Sequence, residues 1–333
     1  MKITNIQIER YEKNFISDIK LGNQYFKTRL GWYIKIYSDQ YCGVGEAAPI
    51  PSISIEDYDS VGYALDGFKL GLEGIDYDVQ LEELLLLSNT HGFNIPSAQF
   101  AIQAAIYDLF SQFNNQSIAQ YLNANSLESI NINSIYHNQS TIAKKDSKVL
   151  KIKIDEKNVF SIKEKIEDIL KDYPDDIKIR PDFNGGLDLT RAIRVCKELE
   201  SYNIDYLEQP LSNDNIQDIY ELRVTTSIPI ALDESVTDYN SVVNIIELGA
   251  ADVLIIKPMV TGGFEEINKI ACLAKKEGLR IVITSSFESS IAQSYILNII
   301  AALEISESCG VFNIQLFNDD LIPQIHKNKI FNF

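Results

Sequence analysis

The stretch "VLKIKI", residues 149–154, alternates apolar and charged side chains. As a strand it puts Leu150, Ile152 and Ile154 on one face and Lys151 and Lys153 on the other. On an edge strand facing water the two lysines would only guard against unwanted pairing, and taken alone that is the cheaper reading. The surrounding sequence argues against it.

From about Asn131 onward, short apolar runs alternate with charged helical ones. The strand candidates are "INSIY", "VLKIKI", "DIKIRPDF", "IDYLEQP", "IPIALDES", "ADVLIIKP", "RIVITSS" and "VFNIQLF"; between them stand helix candidates such as "LTRAIRVCKELESY" and "EINKIACLAKKEG". This is the rhythm of a (β/α)₈ barrel. A doubly wound sheet shares it, but neither GxGxxG nor GxxxxGK[ST] occurs, so the barrel is favoured.

Ahead of the barrel, Met1 to about Ile50 reads as an antiparallel meander turning at Asp39 and Gln40. Two helices follow, one after a cap at Ser54 and a more buried one from Ser97. The expected fold is α/β, a modified TIM (β/α) barrel with an N-terminal α+β capping domain. Its divisions are 1–125 for the cap, 126–310 for the barrel, and 311–333 for a last strand and a tail returning to the cap.

The chain has 333 residues, 45% of them hydrophobic, with a net charge of −17. That charge argues against nucleic acid or an anionic membrane as partner. The four cysteines, Cys42, Cys196, Cys272 and Cys309, form no CxxC or Cys/His cluster. With no long uncharged stretch, a cytoplasmic protein with reduced thiols and a small-molecule partner is expected, and a homo-oligomer stays open.

In a barrel the strand C-termini converge on one mouth. There the sequence offers Lys151 and Lys153, then Asp182 and Asn184, Glu208, Asp233 and Glu234, Lys257, and "TSSFESS" from Thr284. Singly, an Asp after a strand is more often a helix cap. Three acids together repel one another unless a cation lies between them, and an oxygen-only donor set suits a hard ion such as Mg²⁺, with Mn²⁺ as the alternative. Asp182, Glu208 and Asp233 are the expected ligands. A dication beside Lys153 and Lys257 would lower a lysine pKa far enough for it to take a proton from carbon.

This set resembles the enolase superfamily, muconate-lactonizing subgroup, and within it the o-succinylbenzoate synthases. The likeness runs through "KTRLGWYI" (27–34), "GVGEAAPIP" (43–51), "RPDFN", "LEQP", "IALDES", "IKPMVTGG" and "ITSSFESS". It implies Lys153 as acid and base, Lys151 supporting it, Lys257 opposite, and Mg²⁺ on the three acids. It places Asn184, Glu234 and Arg180 around the ligands. Thr284, Ser285, Ser286 and Gly262 are then set at the substrate, with Arg29 in one of two closing loops near 22–32 and 46–55. The implied reaction, in menaquinone biosynthesis, dehydrates a succinyl-bearing cyclohexadiene carboxylate (SHCHC) to 2-succinylbenzoate.

The same lysine pair equally suits an N-acylamino acid racemase or a dipeptide epimerase. Against the epimerase, the eighth strand carries Asn313 and Gln315 instead of an Asp-x-Asp, with Asp319 and Asp320 further on. Muconate lactonization is a further option. The mandelate racemase branch is disfavoured because His91, His137 and His326 fall away from the strand ends. An inactive metal-stapled binding module is the remaining reading, against which the lysine pair argues, since metal binding needs no cations beside it.

Overall fold

A computed structural model describes residues 1–21, 24–51, 53–137, 140–142, 148–311 and 316–317. The first strands, β1 (Asn5–Leu21), β2 (Gln24–Ser38) and β3 (Tyr41–Ala47), form an antiparallel sheet in that order. The turn between β2 and β3 sits at Asp39, whose φ of 46° is one that Asp tolerates better than most residues. Trp32, Ile34 and Ile36 of β2 share one face and pack on three helices, α1 (Tyr58–Gly71), α2 (Leu81–His91) and α3 (Pro96–Phe113), with α4 (Ile118–Leu122) following.

The helix boundaries correct two expectations. α1 begins at Tyr58, capped by Asp57, which accepts the N–H of Ser60; Ser54 instead accepts the N–H of Ile50. α2 was not expected, because "LEELLLLSNTH" is too evenly apolar to show a clear helical stripe.

The "GVGE" run has a steric reason. A Cβ on Gly43 would stand 1.9 Å from the carbonyl oxygen of Ala105, and one on Gly45 the same distance from that of Ala101. Only glycine lets β3 lie this close to α3.

The second sheet contains β4 (Ser134–His137), β5 (Ser140–Ile142), β6 (Val149–Lys153), β7 (Lys178–Asp182), β8 (Leu207–Glu208), β9 (Ile230–Leu232), β10 (Val253–Ile256) and β11 (Arg280–Ile283). Apart from β5, which turns back antiparallel on β4, the strands run parallel in the order β11-β10-β9-β8-β7-β6-β4. Between them lie α5 (Ile162–Leu170), α6 (Leu189–Leu199), α7 (Ile216–Thr225), α8 (Tyr239–Leu248), the short α9 (Pro258–Thr261), α10 (Phe264–Lys276) and α11 (Ser290–Ala302).

The barrel closes through Cys309 and Gly310. Cys309 bridges Ile132 and Gly310 bridges Thr284, with the N–H of Asn133 on Cys309 O at 3.0 Å and that of Gly310 on Ile283 O at 2.9 Å. Closure thus precedes the "VFNIQLF" run expected to supply the last strand. Phe317 instead bridges Phe15 of the cap antiparallel, with ring centroids 4.9 Å apart. Asn313, Gln315, Asp319, Asp320 and His326 lie outside the described residues, as do 22, 23 and 52 of the expected closing loops.

β6 is paired on both sides, by β4 and β7, so "VLKIKI" is not an edge. Leu150, Ile152 and Ile154 pack outward on Ile162, Ile166 and Ile169, which by alternation turns Lys151 and Lys153 inward. No helix among the described residues is long and apolar enough to cross a membrane.

Gly45→Ala should overpack the β3–α3 contact and cost about 1–3 kcal/mol, read by chemical denaturation; an unchanged midpoint would show that β3 can move away freely.

Candidate active site

Asp182 ends β7, Glu208 ends β8 and faces it in register, and Asp233 follows β9. All three are buried. Lys151 reaches between the first two, its Nζ 3.0 Å from Asp182 Oδ2 and 2.5 Å from Glu208 Oε1. Lys257 donates to Asp233 Oδ2 at 2.5 Å. Lys153, one turn of the pleat further out than Lys151, donates to Asn184 Oδ1 at 3.4 Å. The lysines therefore come from β6 and the end of β10, the strands flanking the three that carry the acids.

Asn184 ties the outer part together. Its N–H donates to Asp182 Oδ1 at 3.0 Å and its Nδ2 to Glu234 Oε1 at 3.0 Å. Its φ of 46° allows both, a strained conformation of the kind that clusters at sites.

The electrostatics follow from crowding. Burial, then Asp182 and Asp233, push the Glu208 carboxyl up to about 8 although Lys151 opposes them. Burial and then Asp233 raise Glu234 as well. Asp182 is lowered in spite of burial, because Lys151 and Lys153 favour its ionised form. Burial works against the charge on Lys151, yet Asp182, Glu208 and Asp233 together hold it well above the ordinary lysine value. Lys257 is raised for the same reason by Asp233 and Glu234. Around Lys257 the protein's own acids thus work against the expected lowering.

Whether these residues fit a divalent cation can be asked of their oxygens. Asp233 Oδ1 and Glu234 Oε2 are buried with no hydrogen-bond donor, and Asp182 Oδ2 has only the ion-pair contact with Lys151, poorly aligned for a hydrogen bond. Among the described residues no three acidic, His or Cys side chains stand in metal-holding geometry as placed, since the Lys151 ammonium lies between two of them. Buried, donor-starved carboxylate oxygens are nevertheless the donor set that a hard cation takes. The residues fit.

Several of the residues expected at the substrate have partners within the protein. Thr284 Oγ1 donates to Gly310 O at 2.9 Å and Ser285 Oγ approaches the same oxygen at 3.4 Å, so both serve barrel closure. Ser286 differs, with its buried Oγ lacking a partner. Gly262 gives its N–H to Pro258 O, and with a φ of 122° and Gln99 Oε1 where a Cβ would come within 2.6 Å, it is glycine for backbone reasons. Arg29 is not in a loop: it lies in β2 opposite Lys13, is buried, and donates to Pro49 O at 2.9 Å, to Ala48 O, and to Ser286 O at 3.4 Å.

Arg180 is likewise not beside the acids. Two residues before Asp182, it points to the barrel floor, where its Nε donates to Asp205 Oδ2 at 2.7 Å and its Nη1 to Ser308 O at 2.5 Å, with its guanidinium over the Tyr206 ring. Arg280 shares Asp205 and Glu307 with it. Asp205, although buried, is held below its usual pKa by Arg180 and Arg280.

Residues 138–327 match the family described as "Enolase C-terminal domain-like", and residues 3–109 match "MenC, N-terminal domain". The chain belongs to the enolase superfamily. Among the members similar to it is the L-Ala-D/L-Glu epimerase of Clostridium acetobutylicum, 27% identical over 82% of this chain and 79% of that protein. Another is the o-succinylbenzoate synthase of Thermobifida fusca, 30% identical over 43% of this chain and 44% of that protein. Of solved structures, the dipeptide epimerase of Cytophaga hutchinsonii complexed with Mg and the dipeptide D-Ala-L-Val superposes with a TM-score of 0.83 at 20% identity, covering 96% of this chain and 89% of that one. This last likeness is one of fold: a modified TIM barrel under a capping domain.

Superfamily membership was legible in motifs, but three buried polar residues of the site region were not. Glu46, in "GVGEAAP", accepts hydrogen bonds from Tyr11 Oη, Ser289 Oγ, the N–H of Ser289 at 3.0 Å and that of Ala292 at 3.1 Å. It caps α11 from the other domain, accepting N–H groups of that helix's first turn. Glu288 accepts the N–H of Ser286 at 2.6 Å, and burial pushes its carboxyl from 4.5 to about 7. Gln209 is the third. For Glu46 the sequence signal is a charged residue inside the otherwise apolar "GVGEAAP"; Glu288 in "TSSFESS" and Gln209 in "LEQP" stand among polar neighbours and carry none.

Two outcomes test these placements. Arg180→Met should cost about 3 kcal/mol by denaturation, the low end for a broken buried pair because Arg280 still holds Asp205, with divalent-cation affinity unchanged; lost affinity would return Arg180 to the mouth. Because Glu288 binds its proton more tightly folded than unfolded between about pH 4.5 and 7, its contribution to stability falls as pH rises through that window. Melting curves of Glu288→Gln should therefore match the parent near pH 4.5 and exceed it increasingly toward pH 7, then run parallel.

Proposed function

We propose that the protein is a Mg²⁺-dependent enzyme that removes a proton alpha to a substrate carboxylate, and that its reaction is the dehydration of SHCHC to 2-succinylbenzoate. The observation that carries the proton-transfer reading is the arrangement of Lys153 and Lys257 on strand ends flanking three buried acids, two of which, Asp182 and Asp233, keep an oxygen without a hydrogen-bond donor. A binding module has no use for cations competing with its metal.

Asp182, Glu208 and Asp233 would hold the ion, which supplies positive charge next to the substrate carboxylate and so eases formation of the carbanion. Lys153 takes the alpha proton as general base and then, on the same face, hands it to the departing hydroxide, which leaves as water. Lys257 stays as an ammonium on the far side and balances developing negative charge. Lys151 keeps Asp182 and Glu208 together, and Asn184 orients Lys153 and Glu234.

Support for the synthase comes from the cap's match to the MenC N-terminal family and from the o-succinylbenzoate synthase relative. A second reading rests on the longer alignment with the epimerase: the two lysines would then work one on each face, exchanging the alpha proton of a dipeptide or an N-acylamino acid.

A single experiment separates them. Purified protein with Mg²⁺ is offered SHCHC, and separately N-succinyl amino acids and dipeptides in D₂O. Appearance of the aromatic product is the expected result. Alpha-deuterium incorporation without it assigns the racemase or epimerase reading, and neither overturns both. Lys153→Ala should lose at least about 10²- to 10⁴-fold in rate, the worth of acid/base help, with an unchanged melting temperature; residual activity near that of the parent would remove Lys153 from the chemistry.

A further inference from the structure

Gln209 directly follows Glu208, and its backbone stands at a φ of 36°, where a long side chain is found only if its surroundings hold it. It is fully buried. Its Oε1 accepts the N–H of Asp233 at 2.9 Å and that of Ser235 at 3.3 Å, while its Nε2 donates to Leu211 O and to Ser235 Oγ, each at 2.9 Å. The backbone is committed too: its N–H donates to Ala231 O at 2.8 Å and its carbonyl accepts the N–H of Gly185 at 2.7 Å. One residue therefore touches the chain beside each of the three acids.

The need for it lies in the sheet. β8 is two residues long and β9 three, and their ladder ends at the pairing of Glu208 with Ala231. Asp233 lies two residues past that point, and one past the end of the β9–β10 ladder at Leu232 with Leu254, so its N–H turns to the Gln209 side chain. The Gln209 amide, with one acceptor and one donor end, imitates the peptide group that the missing ladder would have supplied.

We propose that Gln209 is a positioning residue which sets the spacing of Asp182, Glu208 and Asp233, and through it the affinity of the protein for a divalent cation. This rests on the reading of those acids as the metal site. Replacement by Leu keeps the bulk but leaves the Asp233 N–H and the Leu211 carbonyl without partners, so the Asp233 segment is free to drift from Glu208.

The test titrates Mg²⁺ calorimetrically into the metal-free full chain and melts the same samples in EDTA. Gln209→Leu should bind about 10- to 100-fold more weakly than the parent, the usual effect of losing a group that orients ligands. Ser235→Ala should lose less, since Asp233 and Leu211 keep their partners. Val195→Ala, buried on α6 away from the mouth, should lower the melting temperature and leave affinity unchanged. The proposal falls if Gln209→Leu binds like the parent, or no worse than Val195→Ala. Should Gln209→Leu not fold, Gln209→Asn decides, since its shorter amide cannot reach the Asp233 N–H and the Leu211 carbonyl together; parental affinity in it overturns the idea. A parent that binds no Mg²⁺ removes the metal reading, and this inference with it.

Discussion

Mutual repulsion among buried carboxylates is the constraint around which the barrel mouth is arranged. Strand register sets Asp182 beside Glu208, hydrogen bonds from Gln209 and Asn184 bring Asp233 and Glu234 to them, and the accompanying lysines do not fully satisfy their oxygens. Burial and like charge push the Glu208 carboxyl up even with Lys151 beside it. Such a site is stable only if positive charge is supplied, and Lys151 supplies part of it from inside the ring. Repelling groups held in place by an otherwise rigid frame are how binding energy for a cation is built in advance of its arrival.

The frame is rigid because each barrel strand is apolar outward and the mouth is locked from above. Glu46 caps α11 and Arg29 joins β2 to the segment around Pro49 and to Ser286. Both come from the cap, so the end of β11 and the start of α11 take their shape from a different domain. At the other end, Arg180, Asp205, Arg280 and Glu307 close the floor with ion pairs around Tyr206. A barrel floor of ions in place of aliphatic side chains is weak evidence for added stability; it keeps the acids of the mouth separated from those below by a layer of Tyr206, Ala231, Val253, Ile255 and Val282.

Sequence neighbourhood and spatial partnership diverge at several positions. Thr284, Ser285 and Arg180 lie next to strand-end residues along the chain, yet their hydrogen-bond partners are Gly310, Asp205 and Ser308, distant in sequence. The same distance hid Glu46 and Gln209, whose partners lie on other strands or another domain. α2 was missed because nearly all its positions in the middle are leucine, which erases the periodicity that marks a helix.

What local sequence could determine, it did. The alternation in "VLKIKI" specifies which residues face inward once both neighbours are present, and the acids at the ends of "RPD", "LE" and "LD" specify an acidic mouth, because a period of two and the position of a strand's last residue are properties of the chain itself. Tertiary structure alone decided that β6 is interior, that closure falls at Cys309 and Gly310, and which polar groups remain without donors. Pairing partners and unsatisfied atoms are properties of which segments meet, and that is set by packing over distances the local pattern does not encode.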